Sequence, residues 1–134
     1  MKPFVPILIF AFCITLWSGC KTQSVGTGIS NINTDIVGSW EGCDGRVVTF
    51  TQEENGEIYG RYTQLGGLKK YNFSQDEIGY QVVKQSLGTY TGSVKWRSTT
   101  GAETWKKVTI TIEGDTYKDD SSDGCSKNMK RIIP

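Results

Sequence analysis

The stretch GTYTGSVKWRST, residues 88–99, alternates between two kinds of side chain from one residue to the next. Successive side chains of a β-strand point to opposite faces, so this alternation predicts a strand with one apolar face and one polar face. The apolar face carries Tyr90, Gly92, Val94 and Trp96, and the polar face carries Thr91, Ser93, Lys95 and Arg97. Such a half-buried strand is typical of an antiparallel sheet that packs one face against a core.

The same alternation recurs on both sides of this stretch. Further candidate strands are RVVTFTQ (46–52), IYGRYTQ (58–64), KKYNF (69–73), IGYQVVKQ (78–85), WKKVTITIEGD (105–115) and SKNMKRI (126–132). The dipeptide Asn55-Gly56 separates two of them and is a strong hairpin signal. No segment after residue 36 has convincing helical periodicity. The sequence therefore predicts an all-β domain, a small antiparallel up-and-down barrel of seven to eight strands, because closure removes exposed sheet edges.

The first twenty residues, MKPFVPILIFAFCITLWSGC, have the order of a secretory signal. A basic residue comes first, an apolar run follows, and small residues end it. Ser18-Gly19-Cys20 resembles the lipobox of bacterial lipoproteins, although Trp17 stands where leucine is usual. The resemblance implies cleavage after residue 19 and a diacylglycerol on the Cys20 sulfur, and multiple acyl chains hold a protein firmly in a bilayer. The alternative is an ordinary signal peptide followed by an incidental cysteine.

These features divide the chain into a signal peptide (1–19), a lipidated cysteine with a flexible polar tether (20–36) and a barrel domain (37–134). The predicted location is a cell membrane or outer membrane of a bacterial envelope, on the exported side. The membrane, reached through the lipid, is the predicted partner. The chain of 134 residues has 15 basic and 14 acidic residues, and this balance argues against binding to nucleic acid, which needs a basic face.

The four cysteines have different predicted fates. Cys13 leaves with the signal and Cys20 is the lipid site, so Cys43 and Cys125 remain in an oxidising compartment. A disulfide between them is the simplest interpretation, and a pair of buried thiols is the alternative. In the chain-entropy model a bridge over so long a loop stabilises the fold by about 4 kcal/mol.

Two short motifs resemble those of known barrel families. Gly38-Ser39-Trp40 is similar to the Gly-x-Trp that opens lipocalins and the wider calycin group, which includes the avidins. In lipocalins a late arginine packs over that tryptophan at the closed end of the barrel, and the resemblance gives this role to Arg131. The segment SVKWRSTTGAETWKK, residues 93–107, is locally similar to avidins, in which the corresponding tryptophans line the ligand pocket. The resemblance places Trp96 and Trp105 there.

Inward-facing aromatic residues form the candidate ligand site. We expect a small apolar or amphipathic ligand at the open end, with contacts from Tyr62, Tyr90, Trp96 and Trp105. The alternative is a barrel packed solid by its rings, which would leave a non-enzymatic interaction module for a protein or glycan of the envelope.

Catalytic and metal chemistry has little support in the sequence. The chain has no histidine, so the usual general base is missing and no enzyme is expected. DDSSDG, residues 119–124, is similar to the start of a calcium loop, but Lys130 occupies the position of the bidentate acid. We therefore expect a solvated turn there, with no metal and no cofactor.

Overall fold

The computed structural model describes Pro3 and residues 33–134. Eight antiparallel strands follow one another around a closed barrel, each hydrogen-bonded to the next, and the last pairs with the first. The strands are β1 (Gly38–Glu41), β2 (Val47–Gln52), β3 (Ile58–Gln64), β4 (Ile78–Ser86), β5 (Thr89–Arg97), β6 (Glu103–Glu113), β7 (Thr116–Asp119) and β8 (Asn128–Ile132). The predicted all-β class and up-and-down barrel are confirmed.

Up-and-down order gives the barrel two different ends. One end, the closed end, carries residues 33–37 and the short turns before β3, β5 and β7. The predicted turn at Asn55-Gly56 is one of these, and the Gly56 N–H donates to the Glu53 carbonyl at 3.0 Å. The other end, the loop end, carries the four connections 42–46, 65–77, 98–102 and 120–127. Residues 33–37 and short turns therefore cover the closed end, and four longer loops surround the loop end.

Alternate residues of the strands fill the interior, as the sequence predicts. The rings of Phe50, Tyr80 and Tyr117 lie in contact distance of one another, with centroid separations of 5.4 Å and 6.2 Å from Phe50. Trp40 adds its ring at 5.7 Å from Tyr117. Branched side chains such as Ile58, Val82, Val108, Ile110 and Ile112 complete this core and are almost fully buried.

The segment 69–73, predicted as a strand, is not one. Residues Gly66–Tyr71 form a short 3₁₀ helix, and Asn72 ends it in the left-handed conformation with φ of 58°. β3 pairs directly with β4, so no strand position remains for 69–73. The sequence also did not single out β7, a strand of only four residues.

Residues 33–36, which the sequence analysis assigned to the tether, already contact the barrel. Ile36 is fully buried. Its N–H donates to the Tyr90 hydroxyl at 3.2 Å, and the Gly114 N–H donates to the Asn33 carbonyl at 2.8 Å. A single isoleucine in a polar stretch carries no periodic signal, so the sequence did not predict this contact.

The predicted lipid site Cys20 and nearly all of the predicted signal lie outside the described residues. Within the described part of the chain, no helix has the length and apolar character needed to cross a bilayer.

Candidate functional site

The Gly-x-Trp segment lies at the closed end, under a guanidinium group. The Trp40 ring is fully buried and its indole N–H donates to the Ile36 carbonyl at 2.8 Å. Arg131, its cross-strand partner on β8, places its guanidinium carbon 4.2 Å from the ring centroid. Gly38 has φ of +133°, a conformation that favours glycine, and an added Cβ would lie 3.4 Å from the Arg131 side chain. The three motif residues therefore lie together.

Arg131 also ties other segments to this end. Its guanidinium donates to the carbonyls of Asp35 at 2.8 Å and Gly114 at 3.1 Å. Its Nε lies 3.3 Å from the Asp115 carboxylate, but without the angles of a hydrogen bond. Arg131 thus joins the segment before β1, the β6–β7 turn and the ring of Trp40, and a cation over a ring contributes about 1 kcal/mol.

Tyr90 belongs to this closed end as well. Its side chain is buried, and its hydroxyl donates to the Thr34 carbonyl at 3.0 Å while accepting from the Ile36 N–H. The alternation placed Tyr90 correctly inside the barrel. The register of the strands shows that the Tyr90 hydroxyl lies away from the loop end. Tyr90 is therefore not in contact with the other predicted ligand residues.

The predicted disulfide between Cys43 and Cys125 is present. It joins the 42–46 loop to the 120–127 loop, with the Cα atoms 4.9 Å apart and a sequence separation of 82. These loops follow β1 and precede β8, the two strands that pair to close the barrel. The bridge therefore reinforces the closure at the loop end.

A cavity of about 620 Å³ lies at the loop end. Its floor and inner wall are buried side chains, whereas its rim is exposed. The buried residues are Tyr62, Leu68, Phe73, Tyr80 and Val94, and the rim includes Trp96, Ala102, Thr104 and Lys106. The volume falls within the range of ligand pockets, which are lined mainly by apolar side chains with a few polar groups.

Tyr62 brings a buried hydroxyl to this cavity. The residue is 3 % exposed, and an added Cβ on Gly79 would lie 2.3 Å from its ring. The absence of a side chain at position 79 thus makes room for the ring. No residue of the range 33–134 hydrogen-bonds to the Tyr62 hydroxyl, and burial raises the pKa of this phenol. The group is therefore a neutral hydrogen-bond donor available to a ligand.

A buried carboxylate fixes the floor of the cavity. Asp119, 4 % exposed, accepts the hydroxyls of Tyr80 at 3.2 Å and Tyr117 at 3.0 Å, and also the backbone N–H of Ser121 at 2.6 Å. Burial raises the pKa of both tyrosines well above its ordinary value. The network links the Tyr80 ring, which lines the cavity, to the Tyr117 ring in the core.

Two carboxylates, Asp44 and Glu77, form ion pairs with three cations at the cavity wall. Arg46 donates to both carboxylate oxygens of Asp44, at 2.8 Å and 2.7 Å. Burial alone would raise the pKa of the Asp44 carboxyl, but the hydrogen bonds from Arg46 outweigh it, so the pKa is lowered. Glu77 holds both Lys95 at 3.1 Å and Arg97 at 2.8 Å.

Lys106 differs from these cations. Its Nζ lies 3.7 Å from the centroid of the Trp96 ring, and no carboxylate of the described residues pairs with it. It stands on the rim of the cavity with its charge uncompensated by a neighbour. The cavity therefore combines an apolar floor, a neutral phenol and one ammonium group at the mouth.

The structure places the four predicted ligand residues in three locations. Tyr62 and Trp96 line the cavity, and Tyr90 lies at the closed end. Trp105 is on the outer surface, where it pairs across the hairpin with Lys95, whose Nζ lies 5.2 Å from its ring. The inward residues of β6 are even-numbered, so an odd-numbered tryptophan on this strand faces outward.

Several lining residues were not anticipated. Leu68 comes from the 3₁₀ helix, which overlaps the predicted strand 69–73, and neither Arg46 nor Lys106 was among the predicted site residues. Alternation could have indicated Lys106, because it shares the parity of Val108 and Ile110. The position of Leu68 depends on the path of a long loop, for which the sequence has no periodic signal.

Comparisons of the chain with protein-family models, with curated proteins and with solved structures found no match. The closed antiparallel barrel of eight strands is compatible with a lipocalin-like or calycin-like fold. What is established is the fold class, together with a disulfide that reinforces its closure.

Proposed function

We propose that this protein is a lipid-anchored, exported binding protein that holds a small amphipathic molecule in the loop-end cavity. The observation that carries the proposal is the cavity of about 620 Å³ above a buried aromatic floor. Two of its polar groups have no hydrogen-bond or ion-pair partner among residues 33–134, namely the hydroxyl of the buried Tyr62 and the ammonium of Lys106 on the exposed rim. An elongated ligand with an apolar body would match this arrangement.

The alternative of a solidly packed barrel describes only the part of the interior that lies towards the closed end. Trp40, Phe50, Tyr80 and Tyr117 fill the barrel towards the closed end. The rings of Tyr62 and Phe73, with centroids 5.1 Å apart, form the boundary with the cavity. A ligand would therefore rest on a preformed floor rather than penetrate the whole barrel.

The binding proposal can be tested with a matched pair of tryptophans. Trp96 and Trp105 are similarly exposed, at 37 % and 39 %, but only Trp96 lines the cavity. With 1-anilinonaphthalene-8-sulfonate, an amphipathic fluorescent anion, we expect saturable binding that Trp96→Ala weakens by about tenfold, equivalent to 1.4 kcal/mol. Trp105→Ala should leave the dissociation constant unchanged, and equal effects of the two substitutions, or no saturable binding, would contradict the proposal.

The anchoring proposal rests on the sequence of the first twenty residues and is consistent with a disulfide, which forms in oxidising compartments. In a bacterial host that processes lipoproteins, we expect the wild-type chain in the membrane fraction and Cys20→Ala in the soluble fraction. Cys13→Ala is the matched control, since that cysteine precedes the predicted cleavage site, and it should fractionate as the wild type does. Membrane association of Cys20→Ala would count against the anchor.

A further inference from the structure

The β5–β6 hairpin extends beyond its neighbour on one side. β5 and β6 pair continuously from Thr89–Thr111 to Arg97–Glu103, whereas β7 pairs with β6 only along Ile110–Glu113. Among residues 33–134, no strand pairs with the other edge of β6 between positions 103 and 108. This stretch is an exposed sheet edge.

The hydrogen bonds show which residues present their backbone at this edge. The Ile112 N–H donates to the Gly88 carbonyl on the β5 side, whereas Thr109 exchanges bonds with Asp120 on the opposite side. Alternate residues of a strand direct their backbone groups to opposite neighbours. Odd-numbered residues of β6 therefore face away from β5, and the free edge consists of Glu103, Trp105 and Lys107.

We propose that this edge, residues 103–107, pairs antiparallel with the same edge of a second copy of the chain, on a two-fold axis at Trp105. In that register the two copies of Trp105 lie opposite each other, and Glu103 of one copy lies opposite Lys107 of the other. All three outward-facing residues of each copy take part, which makes about six backbone hydrogen bonds. The two barrels are joined through one continuous sheet.

The charges of the edge favour this register over three alternatives. Centring the axis on Glu103, Lys106 or Lys107 would place identical charges opposite each other, which destabilises a strand pair. Centring it on Trp105 places each Glu103 opposite a lysine and each Lys106 opposite Thr104. Arg97 also binds Glu103 within one chain, and a carboxylate has two oxygens with which to bridge two cations. Trp105, 39 % exposed, gains a partner ring in the pair.

Charge reversal tests the proposed pairing on the full chain in detergent micelles. Light scattering after size exclusion, over a micromolar to millimolar range, should show a reversible dimer. Lys107→Glu and Glu103→Lys should each raise the dimer dissociation constant by about tenfold or more. Each substitution places like charges opposite each other at both of the symmetry-related 103–107 pairs. A mixture of these two variants should dimerise as the wild type does, since the heterodimer restores both opposite-charge pairs.

Two further variants separate this edge from other surfaces. Trp105→Pro removes an N–H that no described strand uses and should abolish the dimer while the far-ultraviolet circular dichroism is kept. Lys84→Glu makes the same charge change on β4 and should not alter the dissociation constant. A wild-type chain that stays monomeric overturns the proposal. This holds also if the chain is monomeric because another of its segments covers the edge. A dimer that survives Trp105→Pro, or variants that fail to complement each other, also overturns it.

Discussion

Loss of the disulfide should lower the free energy of unfolding by about 4 kcal/mol. The bridge restricts the unfolded chain, because it closes a loop across the sequence separation of 82 between Cys43 and Cys125. The native barrel also depends on it locally. β1 and β8 share only three register pairs, Ser39–Ile132, Trp40–Arg131 and Glu41–Lys130, and the bridge joins the loops at one end of this short seam.

Urea unfolding of the double variant Cys43→Ser/Cys125→Ser measures this contribution. We expect a lower midpoint, and the same shift in the wild-type chain when a reductant is added. The reductant should not change the midpoint of the double variant, which is the control for effects unrelated to this bridge. Equal midpoints for the oxidised wild type and the double variant would show that the bridge does not stabilise the barrel.

The same variant should bind 1-anilinonaphthalene-8-sulfonate more weakly than the wild type. Cys125 is itself part of the cavity wall, next to Gly124 and Ser126. Without the bridge, the 120–127 loop is held less tightly to the 42–46 loop, so a bound ligand must order it.

Replacement of Trp40 by alanine should destabilise the barrel by about 3–5 kcal/mol. The ring has no exposed surface and packs against Tyr117, so its removal leaves a cavity. The substitution also leaves the Ile36 carbonyl without its donor and the guanidinium of Arg131 without the ring beneath it. Three interactions that hold the closed end are lost together.

Trp105→Ala is the matched control, with the same atoms removed from an exposed position. At concentrations where the chain is monomeric, we expect its effect on the free energy of unfolding to stay within about 0.5 kcal/mol. Trp40→Phe keeps a ring but lacks the indole N–H, and its destabilisation should lie between the other two. Chemical denaturation followed by far-ultraviolet circular dichroism gives all three values, and similar losses for the two alanine variants would contradict this account of the closed end.

Alternation was sufficient to predict the barrel because each half-buried strand repeats it. The residues 90, 92 and 94 face inward as expected, and the same parity holds for 108, 110 and 112. Trp105 was expected in the ligand pocket because of a local likeness to avidins, whereas this parity places it on the outer face. The side chain of an odd-numbered residue on β6 faces outward, whatever motif surrounds it.

The candidate site was only partly predictable, because it depends on register and on loops. Alternation shows that Tyr62 and Tyr90 are both internal, but only the pairing of strands shows that they lie towards opposite ends. The 65–77 connection contributes Leu68, Tyr71 and Phe73 to the cavity from a 3₁₀ helix and the turn that follows it. Their positions are determined by packing against the barrel rather than by a local repeat.

The route of the chain into the barrel has a consequence for orientation. Asn33 and Asp35 are bonded at the closed end, on the side opposite the cavity. If Cys20 is held in a bilayer, the chain that follows it enters the barrel at the closed end, opposite the cavity. The mouth of the cavity would then face away from the lipid surface. A ligand would enter it from the surrounding medium rather than from the membrane.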